Sequence, residues 1–296
     1  MGDAGSVEMP MARYDTISFL SDYGTADEFA GVVRSVIRQL APGVEVIDIT
    51  HEIPPYDVRA GGLALARSAQ YLAPGVVLAV VDPGVGTARR GVAVEVGDGV
   101  SVLVGPDNGL LAPAVAMVGG ATRAVELTNP EYRLAAPGPT FDGRDVFAPA
   151  AAHLSNGVDL LELGPEIDTV TLMPATMPIT REEQGTLVAQ VLWTDRYGNL
   201  QLNVDPDEVE AFGDRIGLRF GGTDRTAVRR TTFGEVGPGE VGLIVDSYGL
   251  LAIVADRHSA AAELALGTGD EVVLVDLGDD EPRTVTTPVV LGSKPR

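Results

Sequence analysis

Cysteine is absent from the 296 residues, histidine occurs three times, tryptophan once, and the one lysine is Lys294. Without thiols the chain can build neither a disulfide framework nor a thiolate zinc site. His51, His153 and His258 show no metal-ligand spacing, so no metal and no redox cofactor is expected. His153, on the inner face of a helix, reads as a core residue, and His51, just past a strand end, reads as structural before functional. No apolar run approaches the ~20 residues of a membrane span. Residues 1–15 lack the apolar core of a signal peptide, which makes a cytoplasmic protein the expectation. Neither GxxxxGK[ST] nor a strand-linked GxGxxG occurs, so there is no cradle for a nucleoside triphosphate. Asp22-Tyr23-Gly24-Thr25 has the outline of a phosphatase loop, but position 20 is Leu where the nucleophilic carboxylate would stand.

Positive charge is also scarce. Lys and Arg total 21 against 42 Asp and Glu, a formal net charge of −21. Such a surface repels nucleic acid backbone and anionic membrane, and both are excluded as partners. The acidic excess is spread along the chain in the manner of proteins adapted to high salt, where screening relieves self-repulsion.

What is present is a 45% hydrophobic chain long enough for about two domains. Strands at Thr16–Leu20, Val44–Ile49 and Val76–Val81 alternate with helical spacing over Phe29–Leu40 and Asp57–Leu72, with a capping box expected at Thr25 and Glu28. A hairpin about Gly97-Asp98-Gly99, a strand near Arg123–Leu127 and a helix over Val146–Leu154 follow. This predicts a three-layer α/β/α domain with a mostly parallel sheet over 15–172, after a disordered tail, 1–14. Two prolines and no periodicity mark 173–184 as a linker. From 185 to 296 short β runs between turns predict a smaller, all-β barrel-like domain, with strands at Thr186–Trp193, Asn199–Val204, Arg215–Phe220, Val241–Val245, Leu250–Val254 and Glu271–Val275.

The stretch around which this pattern is organised is VVDPGVGTARRG, Val80 to Gly91. A strand delivers Asp82 into a Pro/Gly turn with Arg89 and Arg90 close behind, the usual place for chemistry in an α/β fold. Taken alone it also fits a β-turn whose Asp caps its own backbone. Other carboxylates stand at loop positions too: Asp22, Asp142 and Asp195, together with Tyr56, Tyr197 and Asn199. Carboxylates, aromatic faces and an amide suit a ligand with an aromatic base, vicinal hydroxyls and positive charge.

The strings SDYGTADEFAG, DITHEIPPYDV, VDPGVGTARRG, VGPDNGLL, TFDGRDVFAPAAAHL, TDRYGNL and DSYGLLAIV run in order from about Ile17 to about Gly269. Together they resemble the adenosine-forming S-adenosylmethionine hydrolases, relatives of the fluorinase and chlorinase. The resemblance implies attack of activated water on the 5′ carbon of S-adenosylmethionine, releasing adenosine and methionine. It also implies a homotrimer with sites at subunit interfaces, between the first domain of one subunit and the second domain of the next. By the same resemblance Asp22 holds the ribose hydroxyls, Tyr56 and Tyr197 stack, Asn199 reads the adenine edge, Asp195 takes the methionine ammonium and Ser247 lies near the carboxylate. Asp82 and Arg89 match two catalytic residues, and Asp142 stands where the hydrolases carry His, as a water-orienting acceptor in its place. Were Asp142 beside Asp82, one pKa of the pair would rise unless Arg89 or Arg144 neutralised it. The alternatives are a non-catalytic binder of S-adenosylmethionine or adenosine, and a 5′-halogenating enzyme. The halogenases carry Tyr-Pro-Ala-Thr at Asp82-Pro83-Gly84-Val85, and an ionised Asp82 would repel a halide.

Overall fold

The computed structural model describes residues 13–278, so the expected tail over 1–14 lies almost wholly outside the described residues. The chain divides into two compact units, Met1–Met177 and Pro178–Arg296.

The first unit is built on a six-stranded sheet of β1 (Thr16–Ser21), β2 (Glu45–Thr50), β3 (Val76–Val80), β4 (Gly91–Val96), β5 (Ser101–Pro106) and β6 (Ala121–Glu126), in the order β2-β1-β3-β5-β4-β6. Strands β2, β1, β3 and β5 pair in parallel, and β4 runs antiparallel to both its neighbours, closing the expected hairpin with β5. Alternate residues face opposite sides, as a pleated strand requires. Ile17, Phe19, Val76, Leu78 and Val80 enter one core, whereas Leu20, Val77, Ala79 and Val81 enter the other. The first core is closed by α1 (Phe29–Leu40) and α4 (Ala148–Ser155), the second by α2 (Val58–Ala69) and α3 (Ala112–Met117). Apolar burial on both faces explains why these strands read as near-continuous hydrophobic runs.

Helix α1 buries Ala30, Val33 and Ile37 at helical spacing. Its expected capping box does not form. The helix starts at Phe29, the Glu28 side chain makes no capping bond, and the Thr25 hydroxyl instead donates to Glu52 Oε1 at 3.1 Å. Helix α2 is capped by Asp57, whose Oδ1 accepts from the Ala60 amide at 2.9 Å.

The second unit is a closed barrel. Its strands are β7 (Arg181–Glu183), β8 (Thr186–Thr194), β9 (Leu200–Leu202), β10 (Arg215–Phe220), β11 (Thr223–Arg229), β12 (Val241–Val245), β13 (Leu251–Ala255) and β14 (Glu271–Asp276). The order β14-β10-β11-β12-β13-β9-β8 closes where β14 pairs with β8, and β7 adds to β8 from within the segment read as linker. Strand β11, TDRTAVR, was missing from the sequence reading because most of it is solvent-facing and polar, with Ala227 its buried residue. Closure removes the unpaired edges an open sheet would expose. Among the described residues no helix is long and apolar enough to cross a membrane.

Candidate active site

Strand β1 ends at Ser21 and β3 at Val80, adjacent in the sheet, so Asp22 and Asp82 emerge side by side from the same edge. The Asp22 amide donates to Val80 O at 3.3 Å, holding the two exits together. After β3 the chain turns through Pro83–Thr87. Gly86 has φ +77, and a Cβ there would lie 2.7 Å from Pro139 O. The turn therefore abuts the loop that carries Asp142, and only glycine combines that backbone with that clearance.

Asp142 precedes a single π-helical turn, Gly143–Phe147, that leads into α4. Such turns are rare and often found at functional sites. Gly143 is pressed against Tyr23, and a Cβ there would meet the Tyr23 hydroxyl at 2.0 Å. Tyr23, Phe29 and Phe141 form an edge-to-face aromatic group, with Phe141 centroids 5.7 Å from Tyr23 and 5.2 Å from Phe29. Burial, then the nearby Asp22 and Asp82 charges, pushes the Tyr23 phenol up, so it stays neutral.

Arg89 ties the two loops together. Its Nη2 donates to Asp82 Oδ2 at 2.6 Å and to Asp142 Oδ2 at 2.6 Å. The guanidinium also lies over the Phe147 ring, 5.4 Å from its centroid. The side chains of Arg89 and Asp82 are 10% and 6% exposed, against 21% for Asp142. Burial raises the Asp82 pKa, Arg89 pulls it down, and Asp142 pushes it up again. The Asp82 Oδ1 atom is buried with no hydrogen-bond partner among the described residues. The neutralising arginine is thus Arg89, since Arg144 turns away to pair with Asp145 at 2.6 Å.

Asp22, Tyr56, Asp82 and Asp142 all line one cleft of about 410 Å³, together with Tyr23, Phe29 and Phe141. Tyr56 has φ 68, uncommon for a residue with a side chain, and its amide donates to Asp22 Oδ2 at 2.9 Å. That bond fixes the Asp22 carboxylate while the Tyr56 ring, 74% exposed, stands over the cleft mouth. His51 lies behind this wall. It is buried, with Nδ1 2.8 Å from Ser21 Oγ and Nε2 3.2 Å from Asp48 Oδ1. His153, also outside the cleft, packs against Tyr132 at 5.0 Å, and burial lowers its pKa.

The remaining expected residues lie in the second unit, on two hairpins of the same design. In the first, Asp195 Oδ1 accepts from the Tyr197 and Asn199 amides, both at 2.8 Å, and Oδ2 accepts from Asn199 Nδ2 at 2.8 Å. In the second, Asp246 Oδ1 accepts from the Tyr248 amide at 2.8 Å and the Leu250 amide at 3.2 Å. Each Asp pins its own turn in this way. The hairpins are neighbours, because Gln201 Nε2 donates to Asp246 Oδ2 at 2.6 Å and the Trp193 and Tyr248 rings meet at 6.3 Å. Ser247 is exposed at the tip of the second. Tyr197 and Asn199 line a pocket of about 690 Å³ with Phe233, Arg257 and His258. Engagement of the Asp195 carboxylate by its own turn was not legible from spacing, nor were Phe233, Arg257 and His258 as pocket walls. Tyr23 and Phe29 were also missed, although their place in SDYGTADEF beside Asp22 was the available signal.

Two family models match this chain: the SAM hydroxide adenosyltransferase N-terminal domain over residues 17–164 and the C-terminal domain over residues 189–273. A protein of Salinispora tropica named (R)-S-adenosyl-L-methionine hydrolase is 44% identical over 262 residues, 88% of this chain and 98% of its own length. One of the same name from Thermus thermophilus is 42% identical over 267 residues, 88% and 99% of the two chains. A fluorinase of an Actinoplanes species is 26% identical, over 88% of this chain and 97% of its own. Among solved structures, an uncharacterized conserved protein from Thermotoga maritima superposes with a TM-score of 0.80 at 33% identity, covering 88% of this chain and 99% of its own. With both domain models matched in order and relatives aligned along nearly their whole length, the chain belongs to the SAM hydroxide adenosyltransferase family.

Proposed function

We propose that this chain hydrolyses S-adenosyl-L-methionine, in the (R)-sulfonium form named for its relatives, to adenosine and L-methionine. The observation that carries the reading is the buried Asp82–Arg89–Asp142 group at the base of a cleft lined by aromatic rings. One arginine between two carboxylates leaves a net charge of −1, the complement of a sulfonium and unfavourable to a halide. Asp82, which lines the cleft and is held at Oδ2 by Arg89, accepts the proton of the attacking water on its carboxylate. Its raised pKa makes it a stronger base than an ordinary aspartate. The water oxygen bonds to C5′ as the C5′–S bond breaks. Its electron pair neutralises the sulfonium, methionine leaves as a thioether, and the proton passes to Asp82 and then to solvent. No acid is needed on the leaving side, and no cofactor is invoked.

Asp142 takes the place of the family histidine as a second acceptor for that water, and it keeps Arg89 from collapsing onto Asp82 alone. Asp22 holds the ribose diol, and Tyr56 covers it. In the second unit Asn199 and Tyr197 receive the adenine, with Asp195 and Ser247 toward the methionine end. Each unit carries part of the expected ligand chemistry, and the assembly proposed is a cytoplasmic homotrimer whose sites are completed at subunit interfaces. Support for the trimer is the family resemblance, and light scattering on the purified protein tests it.

Chromatography of the products from separated (R) and (S) epimers tests the reaction. Adenosine and methionine in equal amounts, formed faster from (R), are expected. Tight binding without product supports the non-catalytic alternative, and a 5′-halo-5′-deoxyadenosine formed in added chloride or fluoride supports the halogenating one.

A further inference from the structure

VGPDNGLL, the motif that closes β5, contributes no side chain to the cleft, yet two of its residues grip the catalytic segment from behind. Asn108 Nδ2 donates to Val81 O at 2.9 Å, the carbonyl directly before Asp82. Its Oδ1 accepts from the Leu110 amide at 3.1 Å, so both ends of the amide are engaged. Asp107 acts on the other end of the segment. Its amide donates to Arg90 O at 2.9 Å, the carbonyl directly after Arg89. Its Oδ2 accepts from Arg90 Nε at 2.9 Å and Nη2 at 2.5 Å, and its Oδ1 accepts from the Met173 amide at 2.8 Å. Arg90 is further held by Thr171 O at 2.6 Å. The Asp107 side chain is 4% exposed, a buried charge fully spent on these partners.

Apart from these grips the segment is tied within itself, through Thr87 Oγ1 to Gly84 O and the Arg89 amide, and to the loop that carries Asp142. Between Val81 and Arg90 the backbone leaves the sheet and turns through Pro83–Thr87, with Val85 N to Asp82 O and Thr87 N to Gly84 O as its internal bonds. Asp82 and Arg89 must nevertheless keep a 2.6 Å contact and aim at one water. Adjacent residues at one strand end, fastening the two ends of this segment, supply that constraint.

We propose that Asp107 and Asn108 are positioning residues, a clamp that sets the distance and aim of the Asp82–Arg89 pair for attack on the substrate. The inference rests on the hydrolase reading and deepens it. Misplacement of a reacting group by about 1 Å costs on the order of 10²-fold in rate, so the clamp acts on kcat and leaves substrate binding, which uses other residues, unaltered.

Asn108→Asp is the sharpest test, because it keeps size and the Leu110 bond while removing the donor to Val81 O. Asp107→Asn removes the charge that holds Arg90. The two variants and the wild type are compared for kcat, KM, the pH dependence of kcat, and calorimetric binding of the thioether analogue that lacks the sulfonium methyl. A core variant far from the cleft, Val125→Ala, serves as a control for lost stability. The clamp is expected to show as a fall in kcat of about tenfold or more in both variants, a shifted acid limb, and KM and analogue binding within about twofold of wild type, none of it reproduced by Val125→Ala. Unchanged kcat in an active enzyme overturns the clamp alone, as does a loss that Val125→Ala matches. Absence of turnover in the folded wild type overturns the hydrolase reading and the clamp with it.

Discussion

Asp82 and Asp142 share one nitrogen: Arg89 Nη2 stands 2.6 Å from an oxygen of each, across 7 and 53 residues of sequence. The arrangement sets two carboxylates around one guanidinium at the wall of the cleft, with Asp82 held at Oδ2 and its Oδ1 buried.

Replacing Asp82 by Asn is expected to lower kcat by about 10²–10⁴-fold, the usual worth of a positioned base, with little change in KM. The same substitution is expected to stabilise the fold at neutral pH. Burial raises the Asp82 pKa above its unfolded value. As pH rises from the ordinary aspartate range through the folded pKa, the unfolded chain has already released a proton that the folded chain still holds, so this group's contribution to stability falls. Asn removes the penalty, and Arg89 keeps Asp142. Thermal unfolding of both proteins at neutral pH and at the acid end of that window measures the difference.

Asp142→Asn tests the shared nitrogen through pH. Asp142 raises the Asp82 pKa, so its neutralisation is expected to move the acid limb of kcat/KM to lower pH as kcat itself falls. An acid limb that stays in place separates Asp142 from the base.

Much of the fold was legible because strand alternation and helix spacing report burial directly, as with Ile17 and Phe19 on one face and Leu20 on the other. The capping box failed because Thr25 found a partner across the loop in Glu52, a contact no local pattern encodes. Strand β11 was silent because backbone pairing with β10 and β12, not apolar character, holds it in the barrel. In the site, Asp82 and Arg89 were visible as a strand end breaking into a glycine turn. Asp142 was brought to them by resemblance and is seated there by the π turn at Gly143, whose need to clear Tyr23 is a tertiary fact.

Gly143→Ala therefore places a methyl group against the Tyr23 hydroxyl. Overpacking of this kind costs about 1–3 kcal/mol, and here it also shifts Asp142. Denaturant unfolding is expected to report the loss, with activity falling further than the unfolded fraction explains.

His51→Ala removes the ring that bonds Ser21 Oγ and leaves that buried hydroxyl without its partner, a loss of about 1–3 kcal/mol. Since Ser21 Oγ also accepts from the Tyr23 amide at 3.3 Å, the Asp22 loop is expected to loosen. KM for substrate should rise several-fold with kcat nearly unchanged, the opposite split from Asp82→Asn.

With a formal charge of −21, the fold is expected to gain stability from dilute buffer to molar potassium chloride as self-repulsion is screened. A melting temperature that rises with salt, measured by scanning calorimetry, checks this.

The central claim is that water, aligned by Asp82, attacks the 5′ carbon. The direct measurement is turnover of (R)-S-adenosyl-L-methionine in ¹⁸O-labelled water, with mass spectrometry of both products. The account expects one ¹⁸O at the 5′ hydroxyl of adenosine, none in methionine, and loss of the reaction in Asp82→Asn. Unlabelled adenosine, or unchanged substrate with folded wild-type protein, would contradict it.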